Sequence, residues 1–111
     1  MTQKIERIAA QLIMPRLDID AYYDKLEYKN QIDKLVALGV CGFCIFNGIT
    51  ENARRLMAEL QAKSEIPLIF TADFEYGLPM RLSEGNEFPH SWAIGETNDK
   101  SNAFTIGQAI A

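Results

Sequence analysis

Apolar residues fall along this chain in two patterns. Short runs that are apolar on both faces alternate with stretches in which apolar residues recur every three or four positions. Ile5, Ile8 and Ala9 give the second pattern and predict a helix over residues 4–11. Leu12 to Met14 is a short apolar run stopped by Pro15, read as a first strand. Residues 16–24 are polar and irregular, with Asp18, Asp20 and the pair Tyr22-Tyr23, and read as a loop. Ile32, Leu35, Val36 and Leu38 form the stripe of a helix over residues 28–38, and Gly39 is its natural stop. Val40 to Phe46 reads as a strand, followed by the turn signal Asn47-Gly48. Thr50 is expected to cap a helix over residues 52–63 that turns Leu56, Met57 and Leu60 inward. Leu68 to Ala72 follows Pro67 as an unbroken apolar or β-branched run, which predicts a strand buried on both faces. Residues 77–97 carry Gly77, Pro79, Gly85, Pro89 and Gly95 and read as one long loop, and residues 101–111 as a last helix.

Strands that alternate with helices imply parallel pairing through crossover connections, hence an α/β fold. Three strands are too few to close a sheet whose edges and faces all need cover. The expectation is that residues 1–111 are the front part of a longer polypeptide. Expressed alone, they would associate through exposed strand edges.

Composition narrows the function classes. The 111 residues are 48% apolar and 23% charged, with a formal net charge of -4, as in an ordinary globular protein. No cluster of Lys and Arg is present to neutralise phosphates, so a nucleic-acid partner is not expected. No apolar run approaches the roughly 20 residues that span a bilayer. The polar N-terminus lacks the apolar core of a secretory signal, which makes the cytoplasm the expected location. Cys41 and Cys44 form a C-x-x-C, a spacing shared by redox and metal sites. In a strand, however, residues three apart point to opposite faces, too far for a disulfide. No second Cys or His pair completes a zinc site. Two small apolar strand residues are the better reading, with no cofactor and no metal.

The chemistry concentrates in Asp73-Phe-Glu75-Tyr-Gly77, just past the last predicted strand. The carboxyl end of a buried parallel strand is where α/β proteins place ligand sites. A charge there is costly unless something satisfies it, so Asp73 is either a ligand contact or a cap. Glu75 is expected to pair with Arg81 and brace the loop. His90, the only histidine, reads as a loop packing residue, and Trp92 as a core residue. Tyr22 and Tyr23, and Trp92 should it not be core, are aromatic candidates to stack on a ring of a ligand. Asp18 and Asp20 would lie on the rim of the same strand ends, as site residues or as solvated loop charges.

Asp73, Glu75, Gly77, Arg81, Leu82, Phe88, Pro89 and Gly95 follow the order of a known pattern. The chain resembles the glycoside hydrolase family 3 N-terminal domain, the family of β-glucosidases and β-N-acetylglucosaminidases. Gln11-Leu-Ile-Met-Pro15, Gly39 to Phe46 and Ile66-Pro67-Leu68 are similar to its earlier strands, so the resemblance covers most of the chain. Tyr76 stands where the family usually has a glycine, which leaves the shape of that turn open.

The resemblance implies a (β/α)8 barrel of TIM type, of which this chain supplies about three parallel strands with their intervening helices and is incomplete as given. It implies a retaining exo-β-glycoside hydrolase acting on terminal β-glucosyl or β-N-acetylglucosaminyl residues. The nucleophile and the acid/base would lie beyond Ala111, so no catalytic residue is carried over. Asp73 matches the family aspartate that binds sugar hydroxyls in subsite -1; the substrate is thus a carbohydrate. The other reading open to the sequence is a small flavodoxin-like α/β binding or regulatory module with Asp73 as phosphoacceptor. It lacks a glycine-rich phosphate loop, and Met14-Pro15 stands where its paired acids belong.

Overall fold

The computed structural model describes residues 2–111. The first helix, α1 (Thr2–Ala10), buries Ala10 but leaves Ile5 and Ile8 exposed. An ion pair from Arg7 Nη2 to Glu65 Oε2 at 2.6 Å and a bond from the Gln11 amide to the Gly39 carbonyl tie its end to the segments around Gly39 and Glu65.

The first strand comes later than the apolar run suggested. It is β1 (Arg16–Asp18), while Leu12 and Ile13 are exposed. Proline explains the shift. The carbonyls of Ile13 and Pro15 already accept from Cys41 and Cys44. Pro15 has no N–H to donate in return, so the regular ladder begins only after it.

The expected loop over 16–24 is also corrected. Asp18 ends β1 and caps a short helix, α2 (Ile19–Asp24), its Oδ1 accepting from the Ala21 amide at 2.9 Å. Helix α3 (Leu26–Leu38) follows and stops at Gly39 in the left-handed conformation, φ 92°, whose N–H reaches back to Leu35 and Val36. Strand β2 (Gly42–Asn47), helix α4 (Thr50–Lys63) and strand β3 (Ile69–Ala72) complete two β/α units. Thr50 is the first residue of α4 rather than its cap, and its hydroxyl is buried without a partner.

The sheet is wholly parallel, in the order β1-β2-β3. A flavodoxin-like domain places β1 between the second and third strands, so sequential order disfavours that alternative. Sequential parallel strands with intervening helices are instead consistent with the start of a TIM-type barrel. Gly42 makes the close β2–β3 approach possible. A Cβ there would sit 1.7 Å from the Ile69 carbonyl oxygen.

The register sorts the two faces. Leu17, Ile45 and Ala72 align, as do Phe43 and Phe70. These point to the helices and build the core with Tyr22, Ile32, Val36, Leu56 and Leu60. Arg16, Cys44 and Thr71 align on the opposite face. That face is open: Ile69 is 59% exposed, and β3 alternates exposed and half-buried instead of being buried on both sides. On the open face the Thr71 hydroxyl donates to Met14 Sδ at 3.1 Å, while the apolar packing lies on the helix side. Cys41 and Cys44 are free and half-buried, Cys44 lying on this open face.

Beyond β3 comes a turn of 3-10 helix (Leu78–Met80) and two helices, α5 (Ser91–Glu96) and α6 (Lys100–Ile110). The predicted long loop therefore contains structure. Neither α5 nor α6 buries a residue. No helix among the described residues is long and apolar enough to cross a membrane.

A charged clasp locks the helix layer. The Tyr22 hydroxyl shares its proton between Asp33 Oδ1 at 3.0 Å and Glu59 Oε1 at 2.9 Å, and accepts from Lys63 Nζ at 3.0 Å. It thus joins α2, α3 and α4. Burial works against ionisation of Asp33, but its bonds from Lys29, Lys63 and Tyr22 outweigh that and hold the carboxyl below its ordinary range. The Lys63 ammonium holds Glu59 low in the same way, against burial. Burial also disfavours the charge on Lys63. The Glu59, Tyr22 and Asp33 bonds more than compensate and raise its pKa.

Candidate active site at the carboxyl ends of the strands

Parallel strands bring their last residues to one end of the sheet. Here Asp18, Asn47 and Asp73 meet there, at or just past the ends of β1, β2 and β3. Asp18 and Asp20 are not solvated loop charges. Asp18 Oδ2 accepts from the Asn47 side chain at 3.1 Å, and Asp20 Oδ1 accepts from the Ile49 amide at 3.3 Å. Together they tie the β1 end to the turn after β2.

The segment after β3 folds back over this end. Leu82 bridges to Gly48, the Ser83 amide donates to the Gly48 carbonyl at 3.1 Å, and the Thr50 amide donates to the Ser83 hydroxyl at 3.3 Å. The 3-10 turn at Leu78–Met80 lifts the chain so that Arg81 points back at the strand it left. Arg81 Nη2 lies 3.2 Å from Asp73 Oδ2. Arg81 therefore pairs with Asp73, and Glu75, the partner expected from sequence, is exposed and makes no ion pair among the described residues.

Asp73 is 55% exposed at its side chain and Arg81 18%. An ion pair this open to water contributes about 0.5 kcal/mol, so its value lies in orientation. One carboxylate oxygen faces Arg81, and the other is left to accept from a ligand. Carboxylates suit paired hydroxyls because they accept several directed, charge-assisted bonds.

Other expected site residues go elsewhere. Tyr22 is buried, 1% exposed, in the helix layer. Tyr23 stands edge-on to it at 5.4 Å and lies under Arg55. Neither ring is free to stack on a sugar. Trp92 is 82% exposed rather than core. His90 stacks obliquely on Tyr76, ring centroids 4.6 Å apart. Among the described residues no group of three or more His, Cys, Asp or Glu is arranged to hold a metal.

Sequence reading passed over Phe46 and Arg16. Phe46 was one more apolar residue of a strand, and Arg16 part of a loop. Yet the Arg16 and Arg81 guanidinium carbons lie 4.1 and 4.2 Å from the Phe46 ring centroid. The signal was available in the two-residue alternation: Phe43 and Ile45 face the helices, so Phe46 faces away from them.

Comparison with known proteins agrees with this architecture. The family model described as Glycosyl hydrolase family 3 N terminal domain matches residues 4–111. No curated protein matches the chain. A match over nearly the whole length is decisive, and the chain belongs to the glycosyl hydrolase family 3 N-terminal domain family.

Proposed function

We propose that residues 1–111 form the N-terminal portion of the barrel domain of a retaining exo-β-glycoside hydrolase that releases terminal β-glucosyl or β-N-acetylglucosaminyl residues. In this reading Asp73 grips hydroxyls of the sugar in subsite -1. Arg81 braces Asp73 directly, and Glu75 belongs to the turn that carries them. The nucleophile and the acid/base come from outside these residues, so the segment binds but does not catalyse by itself. The open sheet face, with Arg16, Cys44, Phe46, Ile69 and Thr71, becomes the interior of the closed barrel. The free edge of β3 receives the next strand.

The observation that carries the reading is the Asp73 carboxylate at the end of β3, held by Arg81 through one oxygen with the other open. Hydroxyl contacts of this kind tighten as the ring moves toward the oxocarbenium-like transition state.

The test is kinetic. In the full-length protein, Asp73→Asn should lower kcat/KM on an aryl β-glucoside or β-N-acetylglucosaminide by about 100-fold or more, as loss of a preorganised transition-state contact does. Its thermal midpoint should stay near that of the unsubstituted protein. Unchanged kcat/KM would remove Asp73 from the site. Absence of glycosidase activity on every β-linked aryl sugar would remove the hydrolase reading.

A further inference from the structure

Phe46 lies on the open face of β2, one residue before the strand ends at Asn47. Two guanidiniums share its ring: Arg16 from β1, and Arg81 from the segment after β3. Arg81 is mostly buried, its Nε has no partner, and among the described residues its one ion pair is the single contact with Asp73 Oδ2 at 3.2 Å. One such contact between two rotamer-rich side chains fixes little. A guanidinium lying on an aromatic ring loses that freedom, because its plane must stay on the ring. Arg16 makes no ion pair among the described residues.

We infer that Phe46 is a positioning residue for sugar binding. By stacking Arg81 it fixes the guanidinium that turns Asp73 Oδ2 inward and leaves Oδ1 facing the ligand. The inference rests on the sugar-contact reading of Asp73. It goes beyond that reading by placing the control of Asp73 in an apolar side chain on the neighbouring strand.

A double-mutant cycle in the full-length enzyme separates positioning from general support. Phe46→Leu should lower kcat/KM about tenfold, the equivalent of one partly desolvated cation–π contact. Phe46→Tyr, which keeps the ring face, should stay within about twofold. In an Asp73→Asn background, Phe46→Leu should cost no more than about a further twofold, since the group it positions is already disabled. A tenfold loss in both backgrounds would mean that Phe46 only supports the fold, and would overturn the inference. So would a silent Phe46→Leu beside a damaging Asp73→Asn, while the reading of Asp73 would survive. A silent Asp73→Asn would instead strike at Asp73 itself. If Phe46→Leu fails to fold, Phe46→Met fills similar space without a ring face and carries the same expectations through the same cycle.

Discussion

Residues 10–72 and residues 73–111 are built by different forces. The first region holds every buried hydrophobic side chain among the described residues, from Ala10 to Leu68. Its strands and helices exist because each buries a face against the others. The second region has helices but no core. Helix α6 starts where Asp99 accepts from the Ser101 amide and hydroxyl, at 2.9 and 2.7 Å, and Phe104 stays 67% exposed. Local capping sets α6; tertiary packing sets α3 and α4. The candidate site lies at the seam, where Asp73 leaves the packed region and Arg81 returns to it.

Substitutions should separate the regions sharply. The largest effect is expected at Gly42. Ala there would put a carbon against the Ile69 carbonyl oxygen, so β2 and β3 must part. Gly42→Ala should cost more than about 3 kcal/mol or prevent folding, measured by denaturant unfolding of the intact protein. A loss below about 1 kcal/mol would mean that the sheet is looser than it looks. Next comes a matched pair: Leu56→Ala in α4 should cost about 3 kcal/mol, as for a fully buried leucine. Phe104→Ala in α6, where the ring is 67% exposed, should cost less than about 0.5 kcal/mol. Equal losses would show that α6 packs after all.

The Tyr22 clasp gives smaller effects. Tyr22→Phe removes a hydroxyl that bonds across three helices and should cost about 1 kcal/mol. The clasp also predicts an acid limb. Asp33 and Glu59 titrate lower when folded than when unfolded. Between those values the unfolded chain holds more protons, so stability rises with pH there. Their contribution is present above about pH 4.5, the ordinary glutamate value, and is lost as pH falls through the folded values. Lys63 and Tyr22 are raised, so their contribution holds below about pH 10 and fades above it. Lys63→Gln should flatten the acid limb, because it removes the main bond that holds Glu59 low and one of the bonds that hold Asp33 low. An acid limb unchanged by Lys63→Gln, followed by urea midpoints from pH 3 to 7, would place the dependence elsewhere.

Legibility in the sequence cuts across that division: β1 and α2 belong to the packed region yet depart from the expected pattern, while α6 outside it matches the helix expected over residues 101–111. The two β/α units around β2 and β3 were readable because their apolar spacing is driven by burial. Strand β1 was displaced because a proline without an N–H delays the ladder, which hydrophobicity does not register. Helices α2 and α5, six residues each, are too short for a periodic stripe. Asp73 and Arg81 were visible as residues, but their pairing was not: it depends on how the 3-10 turn aims Arg81. The Asp18–Asn47 bond and the ring under the two arginines arise from strand order and register, which appear only once the sheet is assembled.

The most direct test is a structure of the full-length protein with a β-glycoside-derived transition-state mimic bound. The account predicts an Asp73 carboxylate oxygen about 2.6–2.9 Å from a ring hydroxyl of the sugar, with the other oxygen still on Arg81. A sugar bound away from the β3 end, or an Asp73 carboxylate facing out from the barrel, would contradict it.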